Sequence, residues 1–167
     1  TVVQKFKEQE NEQIATFEDL QAYCSRFFKA DDHVLGSKGL VYVGEKIIVY
    51  RRDSNTAKHP LEIDVPGGGS NTGETPFETF TREVKEEFNV RVCPQDITYA
   101  KRYKSAEDLE KYGFFAVAKL PDEVGKSIVL GDEGLEWMLI GVEEYLELGD
   151  AWPVYQARTK DYLDRTK

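Results

Sequence analysis

The stretch from Pro66 to Val90 limits what this chain can become more than any other segment. It opens with GGGSNTGE at 67–74, a loop whose glycines permit φ > 0 and close backbone approach. Thr75 and Glu78 then form a capping box, with Pro76 at the first helical position, where a missing N–H costs nothing. These signals predict a helix to about Phe88, with Asn89 as a left-handed stop. On that helix Phe77, Phe80, Val84 and Phe88 share one stripe and must face a core. Glu83, Glu86 and Glu87 cluster roughly 110° away, by the 100° step per residue.

Three carboxylates on adjacent turns repel one another, and like-charge i,i+4 pairs cost a few tenths of a kcal/mol. They also lie toward the helix C-terminus, the unfavourable end of the macrodipole. Taken alone, the cluster reads as a solvated acidic face. The alternative is a site for a hard cation, since carboxylate and carbonyl oxygens suit Mg²⁺, which keeps several waters and is completed by phosphates.

The rest of the chain supplies strands and helices without regular βα alternation, which predicts a mixed sheet between helices. Thr16 and Asp19, followed by Phe17, Leu20, Cys24, Phe27 and Phe28 at helical spacing, predict a helix over 17–29 behind a polar arm at 1–15. Gly36–Gly39 reads as a turn into two β-runs, LVYV and KIIVYRR, joined at Gly44-Glu45 like a hairpin. LEIDV is a short strand that stops at Pro66. Further strands are expected near 97–104, 112–120 and 135–140, and helices near 142–148 and 153–165.

With 22 basic against 31 acidic residues, the formal charge of −9 argues against nucleic-acid polymers, whose partners show basic patches. An acidic protein that takes an anionic ligand needs bound cations to attract it. No apolar run approaches the length of a membrane span, and the first residues lack the features of a signal peptide. Two cysteines, Cys24 and Cys93, make no disulfide framework and have no metal-ligand spacing. The expectation is a cytoplasmic protein, monomeric or homodimeric, with no membrane partner. No nucleophile elbow or catalytic-cysteine signature is present.

Gly68, Glu74, Arg82, Glu83, Val84, Glu86, Glu87 and Val90 follow G-x5-E-x7-R-E-U-x-E-E-x-G-U, where U is aliphatic, apart from Asn89 in place of the last Gly. This segment resembles the box of the Nudix hydrolase superfamily, and IIVYRRD with LEIDVPGG resembles the strand-loop-strand before it in MutT-type members. The resemblance covers roughly 38–165 and implies a Nudix α/β/α sandwich, with an N-terminal arm and helix over 1–37 as an addition. It implies Mg²⁺-dependent cleavage, with Mn²⁺ able to substitute, of a pyrophosphate link in a small nucleotide by a metal-activated water. A nucleoside triphosphate or another nucleoside diphosphate-linked molecule is the expected substrate.

By the same resemblance, the Gly67 carbonyl, Glu83 and Glu87 are metal ligands, and Glu86 is a ligand or a water-positioning group. Arg82 holds the loop by pairing with Glu74, and Gly68 is structural. GDEGLEWM resembles the stretch that carries an extra glutamate acting as ligand or base; Glu133 aligns best, with Glu136 as fallback. Arg51 and Arg52 end a β-run near the box and are candidates for a phosphate clamp, which a planar guanidinium suits. Tyr103, Phe114 and Trp152 could stack on a base, although aromatic side chains more often serve packing. His33 and His59 show no partner in the sequence. A rival reading is a Nudix domain that binds a nucleotide as a sensor without cutting it; such members usually lose box glutamates, and all four are present here.

Overall fold

β-branched and aromatic runs build the sheet. The computed structural model describes residues 24–56, 58–105, 108–132 and 134–166. β1 (Val34–Val43) and β2 (Lys46–Arg52) pair antiparallel across the expected hairpin. β3 (Ile63–Asp64), β4 (Gly67–Gly69), β5 (Ile97–Lys104), β6 (Tyr112–Leu120) and β7 (Gly134–Ile140) complete a seven-stranded sheet. The main path runs β3-β2-β1-β6-β5, with β4 on β1 and β7 on β2. β1 and β6 run parallel while the other pairings are antiparallel, so the sheet is mixed.

Each face of the sheet carries its own apolar layer. On one face α1 (Pro76–Phe88) buries Phe80, Val84 and Phe88 against Phe27, Val41, Ile48, Phe114 and Ala116. Fully burying a side chain of that size contributes roughly 1.5–3 kcal/mol. On the other, α2 (Val142–Glu147) and α3 (Pro153–Arg165) place Tyr145 and Tyr162 over Leu40, Val49, Tyr99, Phe115 and Val117. This is the expected α/β/α sandwich.

Several local expectations need correction. Gly36–Gly39 is not a turn: it lies inside β1, so the division drawn between residues 37 and 38 also falls within that strand. The reason is crowding, since a Cβ on Gly39 would stand 1.8 Å from the Ala116 carbonyl oxygen and one on Gly36 would stand 2.5 Å from that of Gly68. The glycine-rich loop is partly strand too, because Gly67–Gly69 pairs antiparallel with Gly36–Lys38. LEIDV shrinks to Ile63–Asp64, with Leu61 held at φ 62°. Of the helix expected over 17–29, residues 24–27 are helical and the part before residue 24 lies outside the described residues. Short 3₁₀ turns at Pro94–Asp96 and Asp122–Ser127 had no local signal strong enough to predict.

Candidate active site

The chemistry-bearing helix α1 starts as its sequence directs. The Thr75 side chain accepts from the Glu78 N–H at 3.1 Å, and the Glu78 carboxylate accepts from the Thr75 N–H at 3.0 Å. At the other end Asn89 adopts φ 57°, ψ 34° and donates its N–H to the Lys85 carbonyl. With both ends fixed, the face that carries Glu83 and Glu87 is aimed at the Gly67–Gly69 segment.

Glu87 is only 8% exposed, and its Oε1 accepts from the Gly67 N–H at 2.9 Å. Burial pushes its carboxyl up to about 7; Lys38, the Gly67 N–H and a bond from Tyr50 oppose the shift, while the neighbouring Glu83 reinforces it. Gly67 adopts φ 129°, a conformation that favours glycine, and its backbone passes hard against Lys38. Gly68 leaves room for a carboxylate: a Cβ there would lie 2.6 Å from Cδ of Glu83.

Arg82 binds this corner together. Its Nε and Nη2 donate to the two oxygens of Glu74 at 2.8 and 3.0 Å, and Nη2 also donates to the Gly69 carbonyl at 2.9 Å. Nη1 reaches Glu83 at 2.9 Å and Glu86 at 3.3 Å. The bidentate bond to Arg82 holds the Glu74 carboxyl down near 2. Glu86 itself stands out in solvent, with 58% of its side chain exposed.

Glu83 and Glu87 line a cavity of about 440 Å³ that cationic and aromatic side chains also line. Lys38, Arg52, Lys58 and Arg158 line it, with Tyr50, Tyr112, Trp152 and Tyr155. The two arginines that end β2 have parted. Arg52 lines the cavity and donates to Asp64 at 2.8 Å. Arg51 lies outside that lining and donates to Glu136 at 3.2 Å, Asp150 at 3.0 Å and the Leu61 carbonyl at 2.8 Å. Tyr103 and Phe114 are buried in the two apolar layers. Trp152 alone of the three aromatic candidates is partly open, and it stacks on His59 at 3.9 Å between ring centroids. His59 has a second partner in Glu62, 2.6 Å away, and His33 has one in Asp31 at 3.3 Å.

A smaller cavity of about 190 Å³ adjoins the same carboxylates. Glu83, Glu86 and Glu87 line it together with Leu130, Gly131, Asp132 and Gly134. The loop is fastened to the end of α1, with the Val129 N–H donating to the Phe88 carbonyl at 3.0 Å and the Gly131 N–H to the Glu87 carbonyl at 2.7 Å. Glu133 lies outside the described residues, but both its neighbours line this cavity. Glu136 does not line either cavity and pairs with Arg51.

Lys38, Asp64, Lys58, Arg158 and Tyr155 were missed from the sequence. For Lys38 a signal existed: it is a lone charge in a strand whose other residues are apolar or small, and buried charges need partners; Asp64 shared its expected strand with Glu62 and carried no such signal.

Among the described residues no three His, Cys, Asp or Glu side chains form a metal-holding group. What the site offers is two carboxylates and the Gly67–Gly69 backbone, an oxygen-only donor set. That set fits a hard divalent cation that keeps several waters, and fits soft metals poorly.

The acidic helix thus lies over a glycine-rich strand in an α/β/α sandwich, beside a cavity that cations also line. A family model described as NUDIX domain matches residues 34–160, about three quarters of the chain. The chain belongs to the Nudix family and is, by class, a Nudix hydrolase. Members hydrolyse nucleoside diphosphate-linked compounds and generally use divalent metal ions.

Solved structures with the same fold include the MutT protein from Methanosarcina mazei Go1, 20% identical with a TM-score of 0.62, the match covering 80% of this chain and 95% of that one. A C. elegans Ap4A hydrolase is 17% identical with a TM-score of 0.60, covering 77% and 96%. A NUDIX hydrolase from Nitrosomonas europaea is 22% identical with a TM-score of 0.64, covering 82% and 73%. No curated protein matches.

Proposed function

We propose that this chain hydrolyses a P–O–P link in a nucleoside triphosphate or another nucleoside diphosphate-linked small molecule, with Mg²⁺ as its cation and Mn²⁺ able to replace it. The observation that carries the reading is the buried Glu87 beside Glu83 over Gly67–Gly69, facing a pocket walled by cations. Glu83, Glu87 and the Gly67 carbonyl would hold the cation, with Glu86 at the edge of the site. The cation would offset the two carboxylates, draw in phosphate oxygens and make a nearby water more acidic.

The chain's own residues do the rest. Arg52, in the lining of the same cavity, orients the phosphate, and Arg51, committed to Glu136 and Asp150, serves the fold instead. Trp152 offers a partly open ring to a base. A water oxygen forms the new bond to phosphorus, the bridging P–O bond breaks, and Glu86 or Glu133 takes the proton. For a triphosphate the products are a monophosphate and pyrophosphate. No described helix is long and apolar enough to cross a membrane; a cytoplasmic monomer or homodimer acting on small nucleotides is the setting we favour.

The test is a panel of nucleotides and nucleoside diphosphate derivatives in Mg²⁺, scored by phosphate or pyrophosphate release and product mass. Hydrolysis should vanish in EDTA and return with Mg²⁺ or Mn²⁺, because two carboxylates cannot hold an anionic substrate unaided. Full turnover in chelator would sink the metal assignment, and no turnover across the panel would favour a binding role. Gly68→Ala gives a finer test. The three atoms nearest its Cβ all belong to the carboxylate end of the Glu83 side chain, so the melting temperature should hardly change, whereas kcat should fall about 10²-fold as that carboxylate is displaced. An active Gly68→Ala protein would show that the place of Glu83 over the glycine is immaterial.

A further inference from the structure

Two charges sit where strand interiors should be apolar. Lys38 in β1 is 8% exposed and Asp64 in β3 is 0% exposed. Oδ2 of Asp64 accepts from Lys38 Nζ at 2.6 Å and from Arg52 Nη1 at 2.8 Å, while Oδ1 accepts from the Val65 N–H at 2.8 Å. Lys38 Nζ donates again to the Val65 carbonyl at 3.1 Å and lies 5.4 and 6.0 Å from the ring centroids of Tyr155 and Tyr50. Asp64 thus binds two cations at once, and each buried ion costs several kcal/mol in lost hydration. Well-packed apolar residues commonly replace such groups without loss of stability, so packing alone does not account for them.

The layering suggests what does. Lys38 and Arg52 line the large cavity and Asp64 does not, so the carboxylate stands behind and the cations in front. An ammonium has three donors, and the bonds to Asp64 and Val65 use two. We propose that Lys38 and Arg52, both fixed on the Asp64 carboxylate, form a phosphate-binding wall of the cavity that Glu83 and Glu87 also line, with Asp64 as its positioning residue. The proposal rests on the hydrolase reading for the identity of the ligand as a phosphoanhydride. It adds Lys38 as a direct contact to one phosphoryl group, and it makes the wall's geometry depend on a carboxylate that never touches the ligand.

The test is binding, read separately from turnover. Inorganic pyrophosphate and a methylene-bridged nucleoside triphosphate analogue are titrated calorimetrically into wild type, Lys38→Met, Arg52→Met and Asp64→Asn, all with Mg²⁺. Met keeps the stem that packs on Gly67 and removes only the charge. Each variant should bind both probes about tenfold or more weakly, as expected for the loss of one charge-assisted contact. On a hydrolysed substrate KM should rise more than kcat falls, and Asp64→Glu should recover part of the affinity where Asp64→Asn does not. A folded Lys38→Met protein with unchanged affinity overturns the proposal, as does a wild type that binds neither probe. If Asp64→Asn does not fold, Lys38→Met and the more exposed Arg52→Met decide. A wild type that binds the analogue but hydrolyses nothing would sink the hydrolase reading and leave this wall standing. Turnover with unchanged variant affinities would do the reverse.

Discussion

Glu87→Gln is expected to lower kcat on the order of 10³-fold or more while the fold stays intact. If Glu87 helps to hold the proposed cation, several kcal/mol of charge stabilisation depend on it, and each 1.36 kcal/mol is tenfold in rate. The amide oxygen can still accept from the Gly67 N–H, so the strand under the helix keeps its anchor. Stability should move the opposite way from activity in the metal-free protein. The folded-state pKa of Glu87, about 7, is raised above its ordinary value of 4.5, so the folded chain binds the proton more tightly than the unfolded one. Its contribution is therefore fully present below pH 4.5 and is lost as pH rises through about 7. The Gln variant lacks that loss, so in EDTA its melting temperature should match wild type at low pH and exceed it at pH 8. Adding Mg²⁺ should then stabilise wild type more than the variant, because only a well-bound ligand shifts the folding equilibrium. Near wild-type kcat, or a variant that melts below wild type at pH 8 in chelator, would remove Glu87 from the set of ligands.

What the sequence disclosed about this site was whatever is encoded locally. The capping box, the apolar stripe and the Asn89 stop of α1 need no knowledge of the rest of the chain, and all three lie where they were expected. The strand Gly67–Gly69 was hidden because its pairing with Gly36–Lys38 joins segments about thirty residues apart, and glycine carries no β signal. Arg51 and Arg52 show the same limit. A strand sends successive side chains to opposite faces, so only one of the two could line the cavity, but which one depends on the partners at Asp64, Glu136 and Asp150. The helical wheel placed Glu83, Glu86 and Glu87 together, whereas the structure buries Glu87 and leaves Glu86 in water. That difference arises from β4 passing beneath one edge of the helix, a tertiary fact.

Glu133→Gln is expected to cut kcat about 10²–10⁴-fold, the usual contribution of a general base. Gly131, Asp132 and Gly134 line the small cavity beside Glu83, Glu86 and Glu87, and the loop is tied to the end of α1 through the Gly131 N–H. Both neighbours of Glu133 in the chain line the cavity that Glu83, Glu86 and Glu87 share, whereas Glu86 is held on the helix and shares its carboxylate with Arg82. If Glu133 is the base, the variant should also lose the acidic limb of the pH–rate profile and keep nearly unchanged Mg²⁺ affinity. If it is a ligand, Mg²⁺ affinity should weaken and excess metal should recover part of the rate. A variant unaltered in rate, pH profile and metal dependence would show that the loop glutamate takes no part. The next variant is then Glu86→Gln rather than Glu136→Gln. Glu136 is engaged by Arg51 and lines neither cavity, whereas Glu86 already lines the small one and needs only to exchange its contact with Arg82 for a water.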